Sequence, residues 1–152
     1  MLQWARANGC PCNADRCSRA AGGGHLQVLQ RAHANGCPWD EKAMYIASQN
    51  GHETVVRALI EAGADVNKVT DIGATPLYIA AQNGHETVVR VLIEAGADVN
   101  SAKDDGATPL YVAAQEGDET MVRVLIQAGA DVNKAMDNGM KPLFMAARKS
   151  HE

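Results

Sequence analysis

The sequence is poor in aromatic residues, which make up 4% of the chain. A core built from it must therefore consist mainly of aliphatic residues and alanine. Its formal net charge is -4, so it lacks the basic footprint of a nucleic-acid-binding protein. No apolar run approaches the ~18 residues of a membrane span, and Gln3, Arg6 and Asn8 interrupt the start of the chain where a secretory signal would be apolar. We expect a soluble protein of the cytoplasm, with the nucleus as the alternative, that binds neither membrane nor nucleic acid.

The dominant feature is a unit of 33 residues that spans positions 73–105 and recurs at 106–138 and, upstream, at 40–72. It begins again at 139 and stops at 152. In the unit, Thr75 and Pro76 favour a helix start, and Gly84 favours a helix end. A second helix with an apolar face follows and ends before Gly96. A single helix pair cannot bury its apolar face, so stacked pairs are predicted.

The unit resembles the ankyrin repeat. The resemblance is carried by Thr75-Pro76-Leu77, Ala80-Ala81, Gly84-His85, Val88-Val89, Leu92-Ile93 and Gly96-Ala97-Asp98-Val99-Asn100. It implies an all-α solenoid of antiparallel helix pairs joined by short β-hairpin-like turns. At the position where the family usually has histidine after Thr-Pro-Leu, this chain has Tyr78, Tyr111 and Phe144, which predicts aromatic packing there.

We predict one array over residues 1–152. Residues 1–39 look like shorter variant repeats with a period of 27 and no long turn, because Leu2–Pro11 echoes Leu29–Pro38. Residues 139–152 form a truncated repeat. A second helix without a first at one end, and a first helix without a second at the other, indicate a piece of a longer array or a truncated gene product.

Cysteine and histidine residues raise the possibility of a metal site. They are Cys10, Cys12, Cys17 and Cys37, with His25 and His33 nearby. The spacing matches no standard ligand pattern. Cys10 and Cys37 hold equivalent places in consecutive repeats, ~8–10 Å apart, too far for a shared zinc ion. Structural cysteines are favoured, with a metal or disulfide as the alternative, and we predict no cofactor.

No nucleotide-binding or hydrolase motif occurs, so we predict no catalytic residue and no enzyme. His52 and His85, replaced by Asp118 in the next repeat, are expected to cap or brace turns. The favoured function is a protein–protein interaction module, as a monomer or part of a longer array. The alternative is a regulatory or targeting segment of a larger enzyme whose catalytic part lies outside this chain.

The resemblance implies that the turn tips and the exposed face of each first helix contact a partner. The predicted residues are Val69, Asp71, Ile72, Ala74, Gln82, Asn83, Asp104, Asp105, Ala107, Gln115, Glu116, Asp137, Asn138 and Met140, to which we add Ala102, Ala135, Arg148 and Lys149. Recurrent acids on one side predict a partner protein or peptide with positive charge. The resemblance also implies asparaginyl hydroxylation at Asn67, Asn100 or Asn133, each eight residues after a leucine.

Overall fold

The computed structural model describes residues 14–36 and 41–149. All the regular secondary structure in these ranges is helical. The helices are α1 (Ala14–Gly22), α2 (Leu26–Ala34), α3 (Glu41–Gln49), α4 (Glu53–Glu61), α5 (Pro76–Gln82), α6 (Glu86–Glu94), α7 (Pro109–Glu116), α8 (Glu119–Gln127) and α9 (Pro142–Lys149). The all-α solenoid predicted from the sequence is confirmed, and its hairpin-like turns contain no strand in the described ranges.

The predicted helix start and stop signals have the expected geometry. The Thr75 hydroxyl accepts the backbone N–H of Tyr78 at 3.1 Å, and Pro76 occupies the first helical position of α5. Thr108 caps α7 in the same way. At the junction between paired helices, Gly84 has φ 72°, a conformation open to glycine but costly for other residues.

The helices form two layers. The first helices α1, α3, α5, α7 and α9 pack side by side in sequence order as an inner row. The second helices α2, α4, α6 and α8 form an outer row, each packed on its neighbours in the row. Each helix contacts its own repeat and adjacent repeats, as a quasi-one-dimensional solenoid requires.

The core between the layers is aliphatic, as the scarcity of aromatic residues predicts. Leu59, Leu77, Leu92, Leu110 and Leu125 are almost fully buried. Alanine lines the close contacts between inner helices, with Ala80 and Ala113 at 0% exposure. Burial of a leucine side chain contributes about 1.5–3 kcal/mol, so these two repeated leucine positions, one in each helix of the pair, are a principal source of stability.

In the described part of the chain, the last helix is covered on one side only. Met145 of α9 is buried against the preceding repeat, whereas Leu143 and Phe144 are 75% and 59% exposed. The predicted aromatic packing is therefore found at Tyr78 and Tyr111, which are both buried, but not at Phe144. Within residues 14–36 and 41–149, no helix is long and apolar enough to cross a membrane.

Candidate partner-binding surface

Each full repeat is followed by a tight hairpin, which is closed by two backbone hydrogen bonds between its own residues. In the first, Thr70 N–H donates to Ala74 O, and Gly73 N–H donates to Thr70 O, both at 2.9 Å. Gly73 has φ 72°, which the turn requires. The same two bonds recur from Lys103 to Ala107 and from Met136 to Met140.

Neighbouring hairpins are joined by backbone hydrogen bonds. Asp104 N–H donates to Ile72 O at 3.3 Å, and Asp137 N–H donates to Asp105 O at 3.1 Å. The approach is close enough that a Cβ added at Gly106 would lie 2.8 Å from the Asp137 nitrogen. Residues 69–73, 102–106 and 135–139 therefore form one continuous edge, which we call the hairpin ridge.

The structure places most predicted contact residues at the surface of the hairpin ridge or at the ends of the inner helices. Exposed residues are Val69, Asp71, Ile72, Gln82, Asn83, Asp104, Asp105, Gln115, Glu116, Asp137, Asn138 and Arg148. Half-buried residues are Ala102, Ala135 and Met140. The Lys149 side chain lies outside the described part of the chain. Val69 and Ile72, at 49% and 54% exposure, give the ridge an apolar component.

Ala74 and Ala107 are the exceptions among the predicted contact residues. Their side chains are 1% and 3% exposed, because each belongs to the strand-like return of the hairpin that packs on the core. The side chains of these two predicted contact residues therefore lie in the core and not at the surface of the ridge.

Asp105 has a structural role within its hairpin. Its carboxylate accepts Ala107 N–H at 3.0 Å and pairs with Lys103 Nζ at 3.2 Å. The hydrogen bond from Ala107, followed by the interaction with Lys103, lowers the pKa of Asp105. In the following hairpin, Asn138 accepts Met140 N–H at 3.0 Å, so an amide serves the same turn without charge.

Lys103 also contacts an aromatic side chain of the inner helix α5. Its ammonium is 5.6 Å from the centroid of the Tyr78 ring, within the range of a cation–π contact. The hydrogen bond with Asp105 raises the pKa of Lys103, while burial raises the pKa of Tyr78. Lys103 thus connects the hairpin ridge to the inner helices.

The asparagines proposed for hydroxylation bridge consecutive repeats. The Asn67 side chain accepts Asp98 N–H at 2.8 Å and faces Gly96 O at 3.4 Å. Asn100 accepts Asp131 N–H at 2.7 Å and donates to Gly129 O at 3.2 Å. Each amide therefore satisfies one donor and one acceptor of the next repeat. In the described part of the chain, the Asn133 side chain forms no such bridge.

The junction histidines brace repeats and do not cap helices. The Nε2 atom of His52 lies 2.8 Å from Gly22 O, and that of His85 lies 2.9 Å from Gln49 O. Neither ring makes a capping bond to its own helix. Asp118, at the same position one repeat later, instead caps α8 by accepting Met121 N–H at 2.9 Å.

Sequence reasoning began the contact surface at Val69 and missed residues upstream on α3. Lys42, Tyr45 and Ile46 line a cleft of about 350 Å³ beside the first hairpin. The sequence contained a signal for them, because an alignment of consecutive repeats that matches Gly51 with Gly84 also matches Tyr45 with Tyr78. These residues extend the surface by one repeat towards the N-terminus.

The cysteine prediction lies largely outside the described ranges. Cys10, Cys12 and Cys37 are not described. Cys17 is 2% exposed and packs with Ala32. Over residues 14–36 and 41–149, no group of three or more metal-ligating side chains is found.

The two-layer array and its hairpin ridge define a helical-repeat scaffold with an extended side-chain surface. A family model described as ankyrin repeats (3 copies) matches residues 17–103 and 100–152, and the chain therefore belongs to the ankyrin repeat family. Ankyrin repeats are generally protein–protein interaction modules, and the family is typically non-catalytic. No curated protein matches the chain.

Proposed function

We propose that this chain is a non-catalytic module that holds a partner protein or peptide across the hairpin ridge and the C-terminal ends of α5 and α7. The observation that carries the proposal is the ridge itself. Three hairpins are joined by backbone hydrogen bonds, so the backbone positions that carry their exposed side chains have a fixed spacing. Preorganised surfaces lose less conformational entropy on binding.

The chemistry of the array favours a partner with positive charge. Asp71, Asp104, Glu116 and Asp137 are exposed acids on this surface. Exposed Val69 and Ile72 beside them offer apolar anchors. Surface charges of this kind mainly set the association rate and orientation, and salt screens them over ~8 Å at physiological ionic strength.

Affinity capture from a native lysate with the full chain tests the proposal. Capture is compared between wild type and Asp104→Lys/Asp137→Lys, which reverses the charge of two exposed acids of the ridge. The control is Glu61→Lys/Glu94→Lys, which changes net charge equally at exposed sites of the outer helices.

We expect the ridge variant to lose proteins that the wild type and the control both capture. For each of these proteins, association with the ridge variant should be slower and should depend less on salt concentration than association with the wild type. Equal capture by all three proteins would show that these ridge acids do not direct binding. Loss from the control alone would move the contact to the outer helices.

A further inference from the structure

Three tyrosines occupy the same repeat position on consecutive inner helices. Tyr45, Tyr78 and Tyr111 follow one another at intervals of 33 residues and lie on α3, α5 and α7. These helices pack side by side, so the three side chains succeed one another across the array, and we call them the tyrosine row. The next equivalent residue is Phe144, which has no hydroxyl group, so the row ends at Tyr111.

The rings of the tyrosine row are packed in the protein, while their hydroxyl groups reach solvent. Tyr78 and Tyr111 are 7% and 5% exposed, and Tyr45 is half-buried. None of the three hydroxyl groups has a hydrogen-bond partner among the described residues. Within those residues, Ser48 Oγ is the only polar atom of a non-exposed side chain that is both unpaired and sealed from solvent. The three phenol oxygens therefore lie at the surface of otherwise packed side chains.

The tyrosine row lies beside the hairpin ridge. Tyr45 lines the cleft next to the first hairpin together with Val69 and Thr70. The Lys103 ammonium of the second hairpin is 5.6 Å from the centroid of the Tyr78 ring. A partner segment that follows the ridge therefore passes close to the tyrosine hydroxyl groups.

The hydroxyl groups of the tyrosine row are available as hydrogen-bond donors. Burial raises the pKa of Tyr45 and the pKa of Tyr78, and the Lys103 ammonium opposes both rises. These two phenols are therefore protonated near neutral pH. Because a phenol hydroxyl donates one hydrogen bond, the row presents one donor in each repeat, and a partner must supply acceptors in register with them.

The spacing of these donors favours one backbone conformation of the partner. Neighbouring packed helices lie ~8–10 Å apart, so donors recur at about that distance. A polyproline II segment turns the carbonyl groups of every third residue to the same side, ~9.3 Å apart, and makes no internal hydrogen bonds. Same-side carbonyl groups of an extended strand recur at ~6.6 Å. The carbonyl groups of an α-helix are already bonded within the helix.

We propose that the tyrosine row binds a proline-rich segment of the partner in the polyproline II conformation, with the carbonyl group of every third residue accepting one tyrosine hydroxyl. The proposal rests on the proposed function and deepens it, because the same segment carries the basic residues that face the exposed acids of the ridge. A segment that already has its bound conformation loses little entropy on binding, and aromatic surfaces recognise such segments.

Synthetic peptides test the conformation of the partner. Each peptide has two lysines at both ends, and the run of about nine residues between them is proline, alternating glycine and serine, or alanine. The first forms polyproline II, the second is flexible and the third favours a helix. Each is titrated into the full ¹⁵N-labelled chain and followed by NMR. We expect the proline peptide to shift the amides of Tyr45, Tyr78 and Tyr111 together with those of the ridge, and the other two peptides to shift the ridge alone.

Removal of the hydroxyl groups provides the quantitative test. Tyr78→Phe/Tyr111→Phe keeps both rings and removes two donors, so it should weaken binding of the proline peptide about tenfold and leave the glycine–serine peptide unaffected. Since neither hydroxyl has a partner among the described residues, the Tm of the free variant should equal that of the wild type. The control, Ser48→Ala, removes a hydroxyl group that is sealed from solvent and should bind all three peptides like the wild type.

The outcomes separate this inference from the proposed function. If the double variant binds the proline peptide like the wild type, or if its Tm falls without any loss of affinity, recognition through the tyrosine row is refuted while lysine binding at the ridge stands. Equal or tighter binding of the glycine–serine or alanine peptide refutes the polyproline II conformation. If no peptide shifts the ridge amides, the proposed preference for a basic partner fails, and shifts at the tyrosines alone would still support the row.

Discussion

Asn100 forms hydrogen bonds to the next repeat, whereas Asn133 forms none in the described chain. We therefore expect substitution by alanine to lower stability at Asn100 and to have little effect at Asn133. Asn100→Ala removes the bond from Asp131 N–H and the bond to Gly129 O. Asn133→Ala alters the equivalent position, where the described chain has no bridge. Both variants keep the local turn, because Asp98 and Asp131 accept the backbone N–H of these asparagines at 2.9 and 2.8 Å.

The magnitude follows from the two bonds lost. A typical intramolecular hydrogen bond contributes about 0.5–1.5 kcal/mol net, and Asn100 is only half-buried. We therefore expect Asn100→Ala to lower the free energy of unfolding by about 1–2 kcal/mol. For a chain of this size that corresponds to roughly 2–8 °C in Tm.

Urea and thermal unfolding followed by circular dichroism measure both variants against the wild type. Asn133→Ala should lie within about 0.5 kcal/mol of wild type, as surface substitutions usually do. Equal destabilisation by the two variants would refute the bridge as a coupling between repeats. The cost would then arise from the turn alone.

Four other predictions concern single features of the fold. Ser48→Ala should stabilise the chain by about 1 kcal/mol in urea unfolding, because the buried Ser48 hydroxyl has no partner in the described residues; destabilisation would contradict this. Asp105→Asn keeps the turn and loses the ion pair with Lys103. Because the pKa of Asp105 is lowered in the folded chain, its carboxylate stabilises the fold above the unfolded pKa, and this stabilisation is lost as pH falls through the folded pKa. The Tm difference between wild type and variant should therefore narrow on acidification, and a difference that stays constant with pH would exclude a charge effect. In tryptic mass spectrometry after treatment with an asparaginyl hydroxylase, Asn133 should gain oxygen before its two bridged equivalents, which must first leave their bonds; a reversed order would oppose this. Hydrogen exchange should be faster in α9 than in α7, because α9 is covered on one side, and equal protection would contradict it.

The repeat period made the helix pairs predictable. Thr75 before Pro76 favours a helix start and Gly84 favours a helix end, because both depend only on local backbone geometry. Because the same signals recur every 33 residues, the stacking of pairs into one array followed as well. The burial of Tyr78 and the exposure of Phe144 then depend on whether another repeat covers the position.

The partners of individual polar side chains were not predictable from the period. His85 contacts Gln49 O and Asn67 contacts Asp98 N–H, and both contacts depend on the rotation and spacing between repeats. The sequence predicts Asp105 as an exposed acid of the contact surface. In the structure its carboxylate also accepts the Ala107 N–H and pairs with Lys103, so it stabilises the turn. The cleft beside the first hairpin was missed because its lining combines α3 with residues 68–71, and α4 separates the two in the sequence.

Hydrogen–deuterium exchange of the chain, alone and in complex with a captured partner, tests the central claim most directly. Binding at the hairpin ridge predicts slower exchange on complex formation at residues 69–73, 102–106 and 135–139 and at the C-terminal ends of α5 and α7, with α4, α6 and α8 unchanged. Protection confined to those outer helices, with the ridge unchanged, would contradict the account.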